Sequence, residues 1–282
     1  VAGYTCHRKR TGDAFRRTRF WDRGDLGLAR RAYCLRTNRV KHKLARGEAA
    51  TVVTGEMTPD LVDVFGSLGF DGVWIEGEHG PVDFGDIGAF TRAADLWGIT
   101  SVARVNLNLP GVIYRTLDQG AQAIVVPHVN TAEEARAVVE ASKFTPVGAR
   151  GSYTSRQGIG VDDYFTLAND ETMAIVLIED IAAINNLDDI LKVDHIDVFF
   201  VARTDLAQSM DFVGQPAHPE VDRTVDRAIE QIVAADRVPG TIVTSATVAE
   251  YVEKGVRFLN VNYTPWLKSG AEGFLQNFAA SV

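Results

Sequence analysis

Two carboxylates follow apolar runs in this chain: Glu179 closes MAIVLIE, and Asp205 stands just beyond IDVFFVART. They are 26 residues apart, about one strand–helix repeat. Side chains at the carboxyl ends of neighbouring parallel strands converge on one rim of a barrel, where such folds build their sites. Two acidic oxygens there, with water completing the shell, suit a hard divalent cation that also grips a substrate. The plainer alternative is that Asp205 caps a helix starting at Leu206 and that Glu179 is solvated.

Other polar groups fall at comparable places. The run GVWIEGEHGPVDF puts Glu76, Glu78 and His79 where a strand turns outward, and Arg104 stands between the apolar run SVA and the following loop. Metal-type carboxylates, a guanidinium and an imidazole are what proton abstraction beside a carbonyl requires. The cation polarises the carbonyl, the guanidinium stabilises the developing enolate oxygen, and the imidazole moves protons near neutral pH. Each residue has a structural alternative: His79 as a helix-cap or core histidine, Arg104 as an ion-pair partner of Asp118. Four of them meeting on strand ends is harder to explain that way. No Lys ends a strand, so a Schiff-base mechanism has no candidate.

The elements that position these groups alternate along the chain. Strands are expected at Ala50–Val53, Gly72–Ile75, Ser101–Val105, Ala123–Val126, Ala174–Ile178, Asp197–Val201, Thr241–Thr244 and Phe258–Val261. Amphipathic segments lie between them, including Pro59–Leu68, Phe84–Trp97, Ala132–Ser142, Val221–Ala235 and Val248–Lys254. Thr58 and Thr131 are expected N-caps, the latter with Glu134 at capping-box spacing. Gly69, Gly98 and Gly255 supply left-handed turns after helices. Eight strands wound by helices point to an α/β fold, a (β/α)8 TIM barrel. A doubly wound open sheet is the alternative, but no G-x-G-x-x-G follows the first strand. About 47 residues separate the fourth and fifth strands, including GARGSYTSRQGIGVDDYF; such a loop is expected to be a lid or subunit contact at the carboxyl end. A second long stretch, AQSMDFVGQPAHPEV, follows Asp205.

Composition narrows the function further. The chain has 282 residues, 46% hydrophobic and 23% charged, with net charge −8. Residues 1–40 carry 11 Lys or Arg against three Asp, a balance of +8, so the remainder carries −16. An acidic body leaves no basic face for nucleic acid. No apolar run is long enough to span a membrane. Both cysteines, Cys6 and Cys34, lie in the basic segment, so the body has neither a disulfide framework nor a Cys nucleophile or metal site. With no secretory apolar region, the cytoplasm is the expected compartment. Residues 1–40 are expected to lie outside the fold, as upstream sequence from a misassigned start rather than a nucleic-acid arm or transit peptide; residues 41–282 form the catalytic domain.

The ordered series GFDGVWIEGEHGPVDF, RTLDQGAQAIVVPHVNTAEEA, PVGARG, LIED and DLAQSMDFVGQPAHPEV resembles the successive motifs of the HpcH/HpaI aldolase family, from about Lys43 to the C-terminus. The resemblance implies a barrel of the phosphoenolpyruvate/pyruvate type and a metal-dependent pyruvate aldolase. It also implies a homo-oligomer, a hexamer built as a trimer of dimers with exchanged C-terminal helices. By position, Glu179 and Asp205 are implied metal ligands for Mg2+, Mn2+ or Co2+. Arg104 holds the pyruvate or enolate oxygen, and His79 is the acid/base. Asp118 orients His79 as a dyad, and the backbone N–H groups of Thr204 and Asp205 receive the substrate carboxylate. Two departures stand out. Leu177-Ile178-Glu179 replaces Gln-Ile-Glu, and Ala202-Arg203-Thr204-Asp205-Leu206-Ala207 replaces Gly-Pro-Ala-Asp-Leu-Ser, with Arg203 expected to add positive charge near the carboxylate pocket.

The implied activity is cleavage of a 4-hydroxy-2-oxo acid to pyruvate and an aldehyde, or the reverse addition. Alternatives are an oxaloacetate-decarboxylating, macrophomate-synthase-like enzyme that uses the same enolate, and a barrel that binds a 2-oxo acid without turnover.

Overall fold

The structure, a computed structural model, describes residues 34–282; the expectations for residues 1–33, Cys6 included, lie outside the described residues. Eight parallel strands close a barrel in chain order, β8 pairing with β1. They are β1 (Ala50–Thr54), β2 (Gly72–Glu76), β3 (Thr100–Arg104), β4 (Ala123–Val126), β5 (Met173–Ile178), β6 (Val198–Val201), β7 (Pro239–Val243) and β8 (Phe258–Asn262). The helices are α1 (Arg39–Ala45), α2 (Pro59–Ser67), α3 (Phe84–Trp97), α4 (Pro110–Asp118), α5 (Ala132–Ser142), α6 (Tyr164–Glu171), α7 (Ile181–Asn185), α8 (Leu187–Ile190), α9 (Arg203–Ser209), α10 (Pro219–Ala234), α11 (Val248–Glu253) and α12 (Thr264–Ala279). The expected strands are present, with ends shifted by at most two residues.

Strand alternation sorts the core. Met173, Ile175 and Leu177 of β5 pack inside the barrel with Trp74, Val102, Val198, Phe200 and Phe258. The intervening Ala174, Val176 and Ile178 pack outward against the helices. With a side-chain period of two, the inward position after Leu177 is Glu179, after Trp74 it is Glu76, after Val102 it is Arg104, and after Phe258 it is Asn260. The ring of polar groups at the carboxyl end is thus the continuation of the apolar interior, one layer higher.

The opposite mouth is plugged by α1, whose Val40 and Leu44 join the interior cluster. Asn38 caps this helix by accepting from Lys41 N–H at 3.0 Å, while its Nδ2 donates to the carbonyls of Gln122 and Glu171, each at 3.1 Å. The domain edge expected between residues 40 and 41 therefore falls inside α1, and the fold takes in Asn38–Val40. Capping and a two-residue apolar face carry no long period, which is why the sequence hides this helix.

The long segment before β5 is also corrected. It follows α5, which runs antiparallel to the strands, so it lies at their amino ends, not over the site. There Gln157 receives a hydrogen bond from Arg36 at 3.2 Å, and Arg156 pairs with Asp95 at 2.6 Å. It buttresses the α1 end of the barrel and is no lid.

Candidate active site

Glu76 and Arg104 lie side by side in the β2–β3 register. Arg104 Nε donates to both Glu76 oxygens at 3.0 and 2.8 Å, and Nη2 reaches Glu76 Oε2 at 2.6 Å. Its Nη1 pairs with Glu78 Oε2 at 2.7 Å. Trp74 Nε1 donates to Glu76 Oε2 at 3.1 Å from the layer below. Glu76 Oε1 in turn accepts the N–H groups of Glu78 and His79 at 2.8 and 3.0 Å, tying the outgoing loop to the strand. Burial pushes the Glu76 carboxyl up, but Arg104 and these N–H groups outweigh it and hold it below the usual carboxylate range. Glu78 is raised, because burial there exceeds the pull of Arg104. The guanidinium is hydrogen-bonded to Glu76 through Nε, and its two terminal nitrogens stand in ion-pair contact with Glu76 and Glu78, each carrying two N–H groups. The loop closes this tightly only because position 77 has no side chain: a Cβ on Gly77 would stand 2.6 Å from the Arg104 carbonyl oxygen.

Glu179 follows β5 and is 1% exposed. Its Oε1 accepts the His128 N–H at 2.8 Å, while its Oε2 is buried without a partner. Burial, reinforced by the charges of Asp205 and Glu78, pushes this carboxyl up to about 7. His128, just past β4, holds a left-handed φ of 52°. Its Nδ1 lies 2.9 Å from Asp180 Oδ2 and 3.5 Å from Glu179 Oε1. Burial draws the imidazole down, but its bond to Asp180 and the charge of Glu179 raise it overall. Asn130 Nδ2 donates to the same Asp180 oxygen at 3.0 Å.

Thr204 and Asp205 occupy the first turn of α9, where backbone N–H groups have no intrahelical acceptor. Arg203 lies in the wall beside Thr204 and Asp205, as expected, but its charge is already engaged. Its Nη2 donates to Tyr251 Oη at 2.7 Å and pairs with Asp222 at 3.1 Å, so its charge is drawn toward α10 and α11. A cavity of about 390 Å³ opens over the barrel, with Arg104, His79, Thr204, Asp205, Leu177 and Asn260 in its wall. Glu179, two residues beyond Leu177, is buried and not part of that wall.

A metal fits this arrangement in a specific sense. Glu179 has a buried, unpaired oxygen, and the like charge of Asp205 is near enough to raise its affinity for a proton. Replacing that proton with a divalent cation satisfies the orphaned oxygen and relieves the repulsion. Among the described residues no group of three or more His, Cys, Asp or Glu side chains is arranged to hold a metal; Glu179 and Asp205 are the two carboxylates that would hold one here.

His79 and Asp118 are not brought together within one chain. Asp118 ends α4, which descends from the Arg104 rim toward the amino ends of the strands; there Arg150 binds it at 2.6 Å. The acidic neighbour of the His79 ring is Glu78, at 3.8 Å from Nε2, an ion-pair distance rather than a hydrogen bond. The alternative pairing of Arg104 with Asp118 is likewise absent, since Glu76 and Glu78 take its place.

The family model for HpcH/HpaI aldolase/citrate lyase matches residues 53–265. The chain belongs to that family. The 4-hydroxy-2-oxo-heptane-1,7-dioate aldolase of Salmonella paratyphi A (strain ATCC 9150 / SARB42) is 36% identical over 224 residues, covering 77% of this chain and 85% of that relative. An HpcH/HpaI aldolase/citrate lyase family protein from Burkholderia cenocepacia J2315 superposes with a TM-score of 0.81 at 26% identity, covering 86% of this chain and 100% of the other. Macrophomate synthase superposes with a TM-score of 0.74 at 20% identity, covering 88% and 92%, a likeness of fold.

Two parts of the site escaped the sequence reading. His128 sits in the quoted run VVPHVNTAEEA, past a strand end, but only the structure shows its N–H on Glu179. Asn260 and Asn262 alternate with apolar residues in FLNVN; that two-residue period already marked them as inward-facing.

Proposed function

We propose that this chain is a class II aldolase that cleaves a 4-hydroxy-2-oxo acid to pyruvate and an aldehyde, and runs the reverse addition. Membership of the family and 36% identity to a named aldolase support the reaction class. The observation that carries the metal dependence is the buried, unpaired Glu179 Oε2 beside the charge of Asp205. When bound to Glu179 and Asp205, a divalent cation such as Mg2+, Mn2+ or Co2+ supplies Lewis acidity at the 2-oxo group.

The remaining parts are the chain's own. The free first-turn N–H groups at Thr204 and Asp205 receive the substrate carboxylate. The spare N–H groups on the Arg104 terminal nitrogens point charge at the 2-oxo oxygen, where negative charge grows as the enolate forms. His79 takes the proton of the C4 hydroxyl as the C3–C4 bond breaks; the bond pair becomes the enolate, which is protonated at C3 to give pyruvate. In a dyad, an Asp fixes the imidazole tautomer. Since Asp118 lies at the far end of its own barrel, that role requires Asp118 from a neighbouring subunit. An oligomer is supported by α12, which buries none of its residues and exposes Leu267, Phe274, Leu275 and Phe278, an apolar face larger than a monomer ordinarily leaves wet.

The test is pyruvate with a panel of aldehydes, with EDTA or with each added cation. Addition products that vanish with EDTA are expected; unchanged turnover in chelator contradicts the reading. Oxaloacetate consumed without any aldehyde partner would instead favour the decarboxylating alternative, which reaches the same enolate.

A further inference from the structure

Strand β8 carries two amides on its inward face, Asn260 and, one pleat higher, Asn262, both in the cavity wall. Asn260 is 2% exposed, its Oδ1 is buried without a partner, and its amide makes no hydrogen bond among the described residues. Exchanging the amide oxygen and nitrogen leaves the same deficit, since one polar end still faces apolar neighbours. A buried unpaired amide is costly; Val52 is its register partner on β1, and Trp74, Leu177 and Phe200 share the cavity wall with it. A strand interior optimised for packing alone would carry an aliphatic residue there. Asn262 is partly committed, its Oδ1 accepting the Thr264 N–H at 2.8 Å, which leaves its amide N–H groups for the cavity.

The cavity is chemically lopsided. Arg104, Asp205 and the buried Glu179 lie toward β3, β5 and β6, whereas β8 and β1 contribute Asn260, Asn262 and Thr54. Both arginines in the wall are already paired, Arg104 with Glu76 and Glu78, Arg203 with Asp222. Glu56 adds negative charge on the β1 side. An anionic acceptor would find no uncommitted guanidinium at that end, while a hydroxyl would find amides that both donate and accept.

We propose that Asn260, assisted by Asn262, is a specificity-determining residue for the aldehyde, its buried amide taking the hydroxyl of a neutral, hydroxylated acceptor. This inference rests on the aldolase reading and deepens it. A site built to bond a hydroxyl strongly disfavours the isostere that lacks one, because its polar group is then left unpaired.

The experiment compares glycolaldehyde with its near-isostere propionaldehyde, and with anionic succinic semialdehyde, as acceptors for pyruvate. Wild type, Asn260→Leu and Asn260→Ser are measured with saturating Mg2+ or Mn2+. Solvent deuterium entering the pyruvate methyl group is followed in parallel in the wild type. Expected is a preference in kcat/KM of at least about tenfold for glycolaldehyde over propionaldehyde in the wild type. It collapses in Asn260→Leu through both a raised KM for glycolaldehyde and improved use of propionaldehyde. Asn260→Ser, which keeps a group that donates and accepts but shortens the reach, falls between. Thermal unfolding is expected to show Asn260→Leu at least as stable as wild type; if it unfolds early, Asn260→Ser carries the comparison. A preference that survives both substitutions, or a wild type that favours succinic semialdehyde, overturns the inference while methyl exchange still upholds the aldolase reading. No exchange with any metal overturns both.

Discussion

Glu179 is the residue whose environment makes the most specific demands. Burial pushes its carboxyl up to about 7, from an ordinary value of 4.5. Between those values the folded state holds a proton that the unfolded state has released. Stability from this group is therefore fully present below about pH 4.5 and is lost as pH rises toward 7, by on the order of 3 kcal/mol at most. His128, also raised, loses stability with rising pH in the same direction, so a variant must isolate the carboxyl. In chelator, Glu179→Gln should gain stability over wild type as pH climbs from 5 to 7.5, read from the two unfolding midpoints; parallel curves would remove the burial argument. The same substitution, or Asp205→Asn, should weaken Mn2+ binding measured by calorimetry. Arg104→Lys keeps a charge but loses the planar fork that Glu76 holds, and a fall of about 10²-fold in kcat is expected. A raised KM at constant kcat would make Arg104 a binding group only. At this scale the strand-end carboxylates, Arg104 and His79 were legible because each interrupts an apolar run. The Glu76–Arg104–Glu78 cage and the His128 bond to Glu179 were not, since they depend on register and on one left-handed backbone angle.

Among elements, the β2 exit loop controls the site through backbone proximity. Gly77→Ala would drive a Cβ into the Arg104 carbonyl, displacing the strand ends that align Glu76 with Arg104. Expected are a loss of about 1–3 kcal/mol in stability and a disproportionate drop in kcat, checked by denaturant unfolding beside steady-state kinetics. Unchanged kcat would show that the guanidinium is positioned independently of this loop. Periodicity revealed all eight strands, and Phe84–Trp97 and Ala132–Ser142 form as read, the latter with its Thr131–Glu134 capping box. Where the reading failed, direction was the missing quantity. The segment rich in Gly and Arg has the composition of a lid, yet it follows a helix, and in a barrel a chain leaving a helix is at the amino ends of the strands. The α1 plug was missed because its apolar face is only Val40 and Leu44, too short to show a period.

For the molecule as a whole, the proposed His79–Asp118 dyad calls for a second copy of the chain, and the exposed apolar face of α12 is a surface on which one could dock. Replacing Phe274 and Leu275 with Asp should dissociate the assembly, read by light scattering, and lower activity with it; a fully active monomer would remove the intersubunit dyad. His79→Ala and Asp118→Asn proteins, each impaired, should recover part of their activity when unfolded and refolded together, since some mixed interfaces then pair an intact His79 with an intact Asp118. In the proposed reaction this barrel makes a pyruvate enolate with a cation held by Glu179 and Asp205. That step is tested most directly by following the methyl protons of pyruvate in D2O by NMR, with no aldehyde present. Exchange in the presence of Mg2+, Mn2+ or Co2+, abolished by EDTA and by Glu179→Gln, is the expected result. Exchange that persists undiminished in EDTA, or its absence with every cation, would contradict it.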